Sequence, residues 1–235
     1  MRPTGEALRL LGPVRQALDL LATAFPSKAA ITLVLRVSLL PSMASRWLMP
    51  RVGRFRADNP DIDLRIDARL EFAALGAGGA DCAIRYGTGD WSGVRVTDLG
   101  REQLFPVCAA DYRDRLQLER PQDLANATLL RHDRQLWHPW FCKARLNWAE
   151  PETGPLFSDT GLLLDAAVAG EGVALARARL VKGELESGRL IRLFPIAVED
   201  RYGYFFVRPP LVGPSNSALV ERFARWITDE MRPHE

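Results

Sequence analysis

Apolar positions along this chain switch between two periods. Leu35, Val37 and Leu39 alternate, as the buried face of a strand does. Pro41 closes that run, and Ser42 stands where a helix N-cap belongs. Met43, Trp47, Leu48, Val52 and Phe55 then recur at helical spacing, while Arg46, Arg51, Arg54 and Arg56 largely solvate the remaining face. Asn59-Pro60-Asp61 makes a turn, and Ile62, Leu64 and Ile66 alternate as a second strand. The pattern is a βαβ unit whose helix begins at the carboxyl end of a strand, where open α/β sheets bind small ligands. Ser42 and the adjoining Met43 are therefore the first candidate site residues.

The same reading carried onward predicts a short helix near Phe72–Leu75, then strands over Cys82–Tyr86 and Val94–Leu99. A second α/β set follows between about Ala109 and Gly203. It comprises strand Thr128–Leu130, strand Leu156–Phe157, helix Gly161–Ala169, strand Val173–Ala176 and helix Arg179–Ser187, with Gly188 as its C-cap. Tyr204–Val207 reads as a strand. Ser215–Met231 reads as a final helix, N-capped by Ser215 or Asn216, with Leu219, Val220, Phe223, Trp226 and Ile227 inward. Residues 4–25 differ in character. Ala7, Leu11, Val14, Leu18, Leu21 and Phe25 fall on a 3.5-residue spacing, interrupted at Gly12-Pro13. That spacing fits a short coiled-coil seam or a helix packed on its own domain.

Composition narrows the classes. Hydrophobic residues make up 47% of the 235 and charged residues 26%, as in ordinary globular domains. The net charge of +2 is nearly balanced and the arginines are dispersed, which is not the footprint of a nucleic-acid surface. Cys82, Cys108 and Cys142 form no C-x-x-C, so neither a disulfide framework nor a zinc site is indicated. No stretch approaches the ~20 apolar residues of a membrane span, and no signal peptide is recognisable, so a cytoplasmic location is expected.

Catalytic signatures are missing. His132, His138 and His234 form no HxxxH pair, and there is neither a G-x-S-x-G elbow nor a phosphate loop. No catalytic residue, metal or cofactor is predicted. A binding cleft is better supported. The turn at Ser42 and the segment Phe157-Ser158-Asp159-Thr160-Gly161 each place hydroxyls and free backbone N–H groups at a helix N-terminus, an arrangement suited to an anion. Arg85 ends the apolar strand Cys82-Ala83-Ile84 and either clamps a carboxylate or pairs with Asp81 or Asp90. Trp137 and Trp140 flank Pro139, and at least one is expected to line the cleft. Tyr86 and Phe157 divide evenly between core and pocket wall.

Four motifs in register carry a family resemblance. They are Trp47-Leu48-Met49-Pro50-Arg51-Val52 with Phe55 and Pro60-Asp61-Ile62-Asp63-Leu64, Ala80-Asp81-Cys82-Ala83-Ile84-Arg85-Tyr86-Gly87, Leu104-Phe105-Pro106-Val107-Cys108, and Ala169-Gly170-Glu171-Gly172-Val173-Ala174-Leu175-Ala176. Together they resemble the effector-binding domain of LysR-type transcriptional regulators, in the branch of glycine-cleavage and β-lactamase regulators. The resemblance implies two Rossmann-like subdomains with a cleft between them, similar to type II periplasmic binding proteins, preceded by a linker helix. Residues 1–28 would be the end of a DNA-binding domain and the linker helix. Residues 33–108 and 206–235 would form subdomain 1, and 109–205 subdomain 2. Crossings are expected near Cys108–Ala110 and Tyr202–Val207. By the same resemblance Ser42 matches a cleft Thr, Thr160 a cleft Ser and Tyr204 a cleft Tyr, while Ser158 departs from a cleft Asp. The implied partners are a small-molecule effector, a second copy in a homodimer or tetramer, and DNA through a winged helix-turn-helix absent from this sequence. A free-standing solute-binding protein, a small enzyme on the same scaffold and a pure dimerisation module are the rival readings.

Overall fold

The computed structural model describes residues 33–76, 78–210 and 214–232, together with Val14 and Gln16. The predicted seam over residues 4–25 lies outside these residues, apart from those two positions. Strand β1 (Leu33–Leu39) pairs in parallel with β2 (Ile62–Ala68) and β3 (Cys82–Gly87). Helix α1 connects β1 to β2, as the alternating periods require. It consists of an α turn (Pro41–Met43), a π-helical turn (Ala44–Leu48) and ten further α residues (Met49–Asp58) in succession. Pro50 explains the wide turn. It has no N–H for the Arg46 carbonyl, and the Met49 N–H reaches back to the Ala44 carbonyl instead.

Two long antiparallel strands, β4 (Arg95–Cys108) and β9 (Val198–Arg208), join the lobes. Beyond β4 come α2 (Ala110–Leu116), a 3-10 turn (Pro121–Asn126), β5 (Leu129–His132), α3 (His138–Lys143) and β6 (Leu156–Phe157). Then follow α4 (Thr160–Val168), β7 (Val173–Arg177), α5 (Ala178–Glu186), the short β8 (Ile191–Arg192), β9 and α6 (Pro214–Met231). The sheet runs β2-β1-β3-β9-β4-β7-β5-β6, with β8 on β4. β4 pairs with β9 along Arg95–Leu104 and with β7 along Leu104–Val107, so it exchanges its first-lobe neighbour for a second-lobe one midway. Register shifts at Asp98/Gly100 and Arg101/Gln103 mark that exchange.

Apolar packing follows the predicted faces. Phe55 of α1 meets Phe223 and Trp226 of α6 at 5.3 and 5.2 Å between ring centroids. One core continues across both lobes, from Leu35 and Val37 to Leu163, Leu164 and Ala176. A second fills the far side of the second lobe around Trp137, Trp140 and Phe141. Cys82 and Cys108 are buried within these cores.

Three local expectations change. Residues Arg69–Leu75 form a loop closed by a Leu75–Ala80 bridge rather than a helix. Leu40, not Ser42, is the N-cap of α1; its carbonyl accepts the Ala44 N–H while Pro41 takes the first helical position. Helix α6 begins at Pro214, and Asn216, inside it, donates to Asp81 Oδ1 at 2.7 Å.

Candidate functional site

Parallel strands from both lobes end on one cavity of about 310 Å³. The first turn of α1, at the end of β1, delivers Ser42, β3 delivers Arg85, Tyr86 and Gly87, β5 delivers His132, and β7 delivers Arg177. The β6–α4 junction adds Ser158, Asp159 and Thr160, and the loop after β2 adds Phe72 and Ala73. A crevice outside strand carboxyl ends is the ligand position of open α/β sheets.

Of the predicted site residues, Ser42, Arg85, Tyr86, Ser158 and Thr160 line this cavity. Tyr204 is buried directly behind its wall, with its ring 4.7 Å from that of Tyr86 and a hydroxyl that forms no hydrogen bond. Met43 and Trp137 sit elsewhere. Met43 points into the shared core, because helical periodicity turns it away from its neighbour Ser42. Trp137 stacks on Phe141 and donates its indole N–H to the Leu130 carbonyl at 3.0 Å. Trp140 belongs to the same apolar core, so neither tryptophan reaches the cavity. Phe157 is half-buried against the shared core and is not among the lining residues.

Arg85 finds no carboxylate among the described residues. Asp81, its proposed partner, instead accepts the Arg36 backbone N–H at 2.7 Å and the Asn216 amide. The Arg85 guanidinium lies over the rings of Phe72 and Trp91, 4.5 and 5.6 Å from their centroids. Its Nη2 donates to the Ala73 carbonyl at 3.4 Å, and its Nε is buried without a partner. This desolvation lowers its pKa from the usual arginine value.

Sequence reasoning passed over Arg177 and His132. Arg177 is 3% exposed, lies 3.9 Å from the Tyr86 ring centroid and donates Nε to Gln135 Oε1 at 3.0 Å. Its signal matches that of Arg85, a single arginine ending an apolar strand. His132 is buried beside Thr160, with Nε2 3.3 Å from the threonine Oγ1. Burial, reinforced by the positive charge of Arg177, brings its pKa down to about 4, so the ring is neutral at pH 7. The α4 N-terminus also departs from expectation. Asp159 caps it, accepting the Gly161 and Leu162 N–H groups at 2.8 and 3.3 Å, which leaves those donors unavailable to a ligand. Among the described residues no cluster of potential metal ligands occurs and no helix is long and apolar enough to cross a membrane.

A two-lobed α/β domain with a polar crevice between its lobes defines a class of small-molecule-binding domains, and sequence comparison resolves which one. The family model for the LysR substrate binding domain matches residues 30–232, and the chain belongs to that family. It is 40% identical over 204 residues to the glycine cleavage system transcriptional activator of Escherichia coli (strain K12), covering 86% of this chain and 65% of that protein. It is 36% identical over 198 residues to the transcriptional activator AmpR of Rhodobacter capsulatus, covering 84% and 66%. The chain thus spans a little under two thirds of the length of these curated relatives. The effector domain of AmpR from Pseudomonas aeruginosa superposes with a TM-score of 0.75 at 32% identity, covering 84% of this chain and 95% of that one. The AmpR effector binding domain of Citrobacter freundii gives the same TM-score at 27% identity, covering 84% and 98%. These relatives are transcriptional regulators.

Proposed function

We propose that this domain senses a small anionic or zwitterionic metabolite in the crevice between its lobes and carries out no chemistry on it. The observation that supports this reading is that three of the four arginines lining the cavity, Arg85, Arg134 and Arg177, form no ion pair with a carboxylate among the described residues. A buried guanidinium without an acid is unfavourable unless something else supplies the negative charge. Ser42, Thr160 and Tyr204 match polar cleft positions in the resembling regulators and supply hydrogen-bonding groups at or just behind the same wall.

Ligand contacts made by both lobes favour one lobe orientation over another, and only such differential affinity transmits a signal. In the full-length regulator that orientation would bear on how paired winged helix-turn-helix domains sit on DNA, with this domain contributing to a homodimer or tetramer. The domain alone would not bind operator DNA. As part of a transcriptional regulator it would work in the cytoplasm.

A thermal-shift panel of amino acids, small carboxylates and cell-wall fragments tests the reading, with Arg85→Ala and Thr160→Ala as controls. A ligand at 100 times its dissociation constant adds about 2.7 kcal/mol of stability. A shift present in the parent and lost in both variants supports the sensor. Turnover of the bound compound would make the domain an enzyme, and silence across the panel would favour a dimerisation module.

A further inference from the structure

We infer that the second lobe carries a preformed station for a compact oxyanion, a carboxylate or phosphate, made by Thr160 and Arg177 and set by His132 and Gln135. The inference rests on the sensing role proposed above and names which group of the ligand docks where. Its basis is a chain of hydrogen bonds whose directions are fixed from the backbone outward.

The chain starts at Leu175, whose carbonyl accepts the side-chain N–H of Gln135. The Gln135 amide is thereby oriented, and its Oε1 must face Arg177, where it accepts Nε–H at 3.0 Å. Gln135 is 4% exposed and has no freedom to turn over. Arg177 is thus held by Nε and by the Tyr86 ring beneath it, and its two Nη groups make no hydrogen bond of ordinary geometry among the described residues. Although burial alone would lower its pKa, the Tyr204 and Tyr86 phenols and Asp200 around it raise it above the usual arginine value.

A second chain fixes Thr160. The Arg134 backbone N–H donates to His132 Nδ1 at 3.1 Å, so that nitrogen is the acceptor. Asp133 Oδ1 also lies 3.1 Å from Nδ1 but forms no hydrogen bond there. A neutral imidazole accepting at Nδ1 carries its proton at Nε2, and that proton points to Thr160 Oγ1 at 3.3 Å. With a lone pair so engaged, the Thr160 hydroxyl directs its own proton elsewhere. No acceptor among the described residues takes it, although Thr160 is 1% exposed.

What remains is a set of donors, the Arg177 Nη groups and the Thr160 hydroxyl, that engage no acceptor, although the Asp133 and Asp159 carboxylates also line the cavity. Gln135 Oε1 and His132 Nδ1 are occupied, and Asp159 Oδ1 is committed to the α4 N-terminus. Charge-assisted hydrogen bonds from a guanidinium together with a hydroxyl donor suit a carboxylate or phosphate. His132 and Gln135 are positioning residues: neither needs to touch the ligand.

Titration of uniformly 15N-labelled protein with sodium acetate and with inorganic phosphate, against sodium chloride at constant ionic strength, tests the station. His132→Gln assigns the His132 signal by its disappearance. The expected starting state is an Nε2–H tautomer that does not titrate between about pH 5.5 and 8. Acetate or phosphate then moves this signal and the Gly161 amide saturably. Arg177→Met and Arg177→Gln abolish the response; Arg177→Met also leaves Gln135 Oε1 without its donor and lowers the melting temperature by roughly 2–4 °C. His132→Phe weakens half-saturation about tenfold, read at Gly161, as expected for a lost hydrogen bond to a charged partner. His132→Gln, with an amide N–H near the Nε2 position, recovers most of that loss. An Nδ1–H tautomer, no saturable response to either anion, or a response unchanged in both Arg177 variants would overturn the station. A response lost in Arg85→Gln and kept in Arg177→Met would do so while leaving the proposed sensing cleft intact.

Discussion

Arg46, largely buried, and Arg177, fully buried, both face the boundary between the lobes and differ in what surrounds them. Arg46 projects from the π turn of α1 and spans to the second lobe, where it pairs with Glu184 of α5 and Asp165 of α4 and donates to the Gly161 carbonyl at 3.0 Å. Its side chain is 10% exposed and that of Glu184 8%. Arg177 has a neutral amide, an aromatic face and no acid in contact. The first guanidinium is neutralised within the fold and clasps the lobes. The second forms no ion pair; only the neighbouring phenols of Tyr204 and Tyr86 and the more distant Asp200 act on its charge. A buried charge thus reads as structural or functional by whether its counter-charge is already present.

The largest expected effect comes from breaking the clasp. Arg46→Ala leaves Glu184 buried with only Arg189, which lies at 3.2 Å and is 60% exposed, as a counter-charge. A loss of about 3 kcal/mol is expected, measured by chemical denaturation. A loss below about 0.5 kcal/mol would erase the distinction between the two arginines.

His132 adds a pH dependence on the functional side. Its folded pKa of about 4 lies below the ordinary value of 6.5, so the folded state prefers the neutral ring. The stabilisation is fully present above pH 6.5 and is lost as pH falls toward 4, because the unfolded chain takes up the proton first. The contribution is on the order of 3 kcal/mol across that window. Stability curves at pH 7 and pH 4.5 should converge for parent and His132→Gln after the other acid-sensitive groups are subtracted. A parent no more acid-sensitive than the variant contradicts the buried neutral ring.

Arg177→Met strands Gln135 Oε1 as it removes the charge, so a loss of about 1 kcal/mol in ligand-free stability is expected, well below that at Arg46→Ala. A drop as large as that of the clasp would mean that Arg177 is structural. The smallest effect is expected at a third kind of arginine, paired but exposed. Arg222 reaches both Asp61 oxygens, at 2.8 and 2.9 Å, and the contact lowers the aspartate pKa, yet solvent screens it. Arg222→Gln should melt within about a degree of the parent. A drop comparable to Arg46→Ala would show that pairing alone, without burial, sets the scale.

Much of the fold was legible because its signals are local. The alternation in β1 and β2, the helical spacing of α1 and the apolar run of β7 depend on neighbours within a few residues, and each element formed where predicted to within a residue or two. Misreadings arose where a local signal had two outcomes. Ser42 resembles a cap, but Pro41 ahead of it is equally at home at the first helical position, and the helix starts two residues earlier, with Leu40 as its N-cap. Trp137 offers the same aromatic surface to a pocket or a core, and only the convergence of Phe141 and Trp140 around it settled the matter. The long strands β4 and β9 were read as short pieces because the charged stretches Arg101–Glu102 and Glu199–Arg201 break the apolar pattern. In the fold those charges flank the crossing between the lobes and find partners there, Glu102 with Arg179 at 2.8 Å and Arg101 with the Arg201 carbonyl at 2.5 Å.

The sequence by itself determined the order of elements, the faces they bury and the family, because periodicity and short motifs are properties of contiguous residues. Which polar side chains are satisfied was decided only by the tertiary structure. Arg46 and Glu184 are 138 residues apart, and Arg177 and Gln135 are 42. In sequence the three strand-end or helix-face arginines, 46, 85 and 177, look alike. Their difference is a matter of which acids the folded chain brings into contact: Glu184 and Asp165 pair with Arg46, while none of those described forms an ion pair with Arg85 or Arg177.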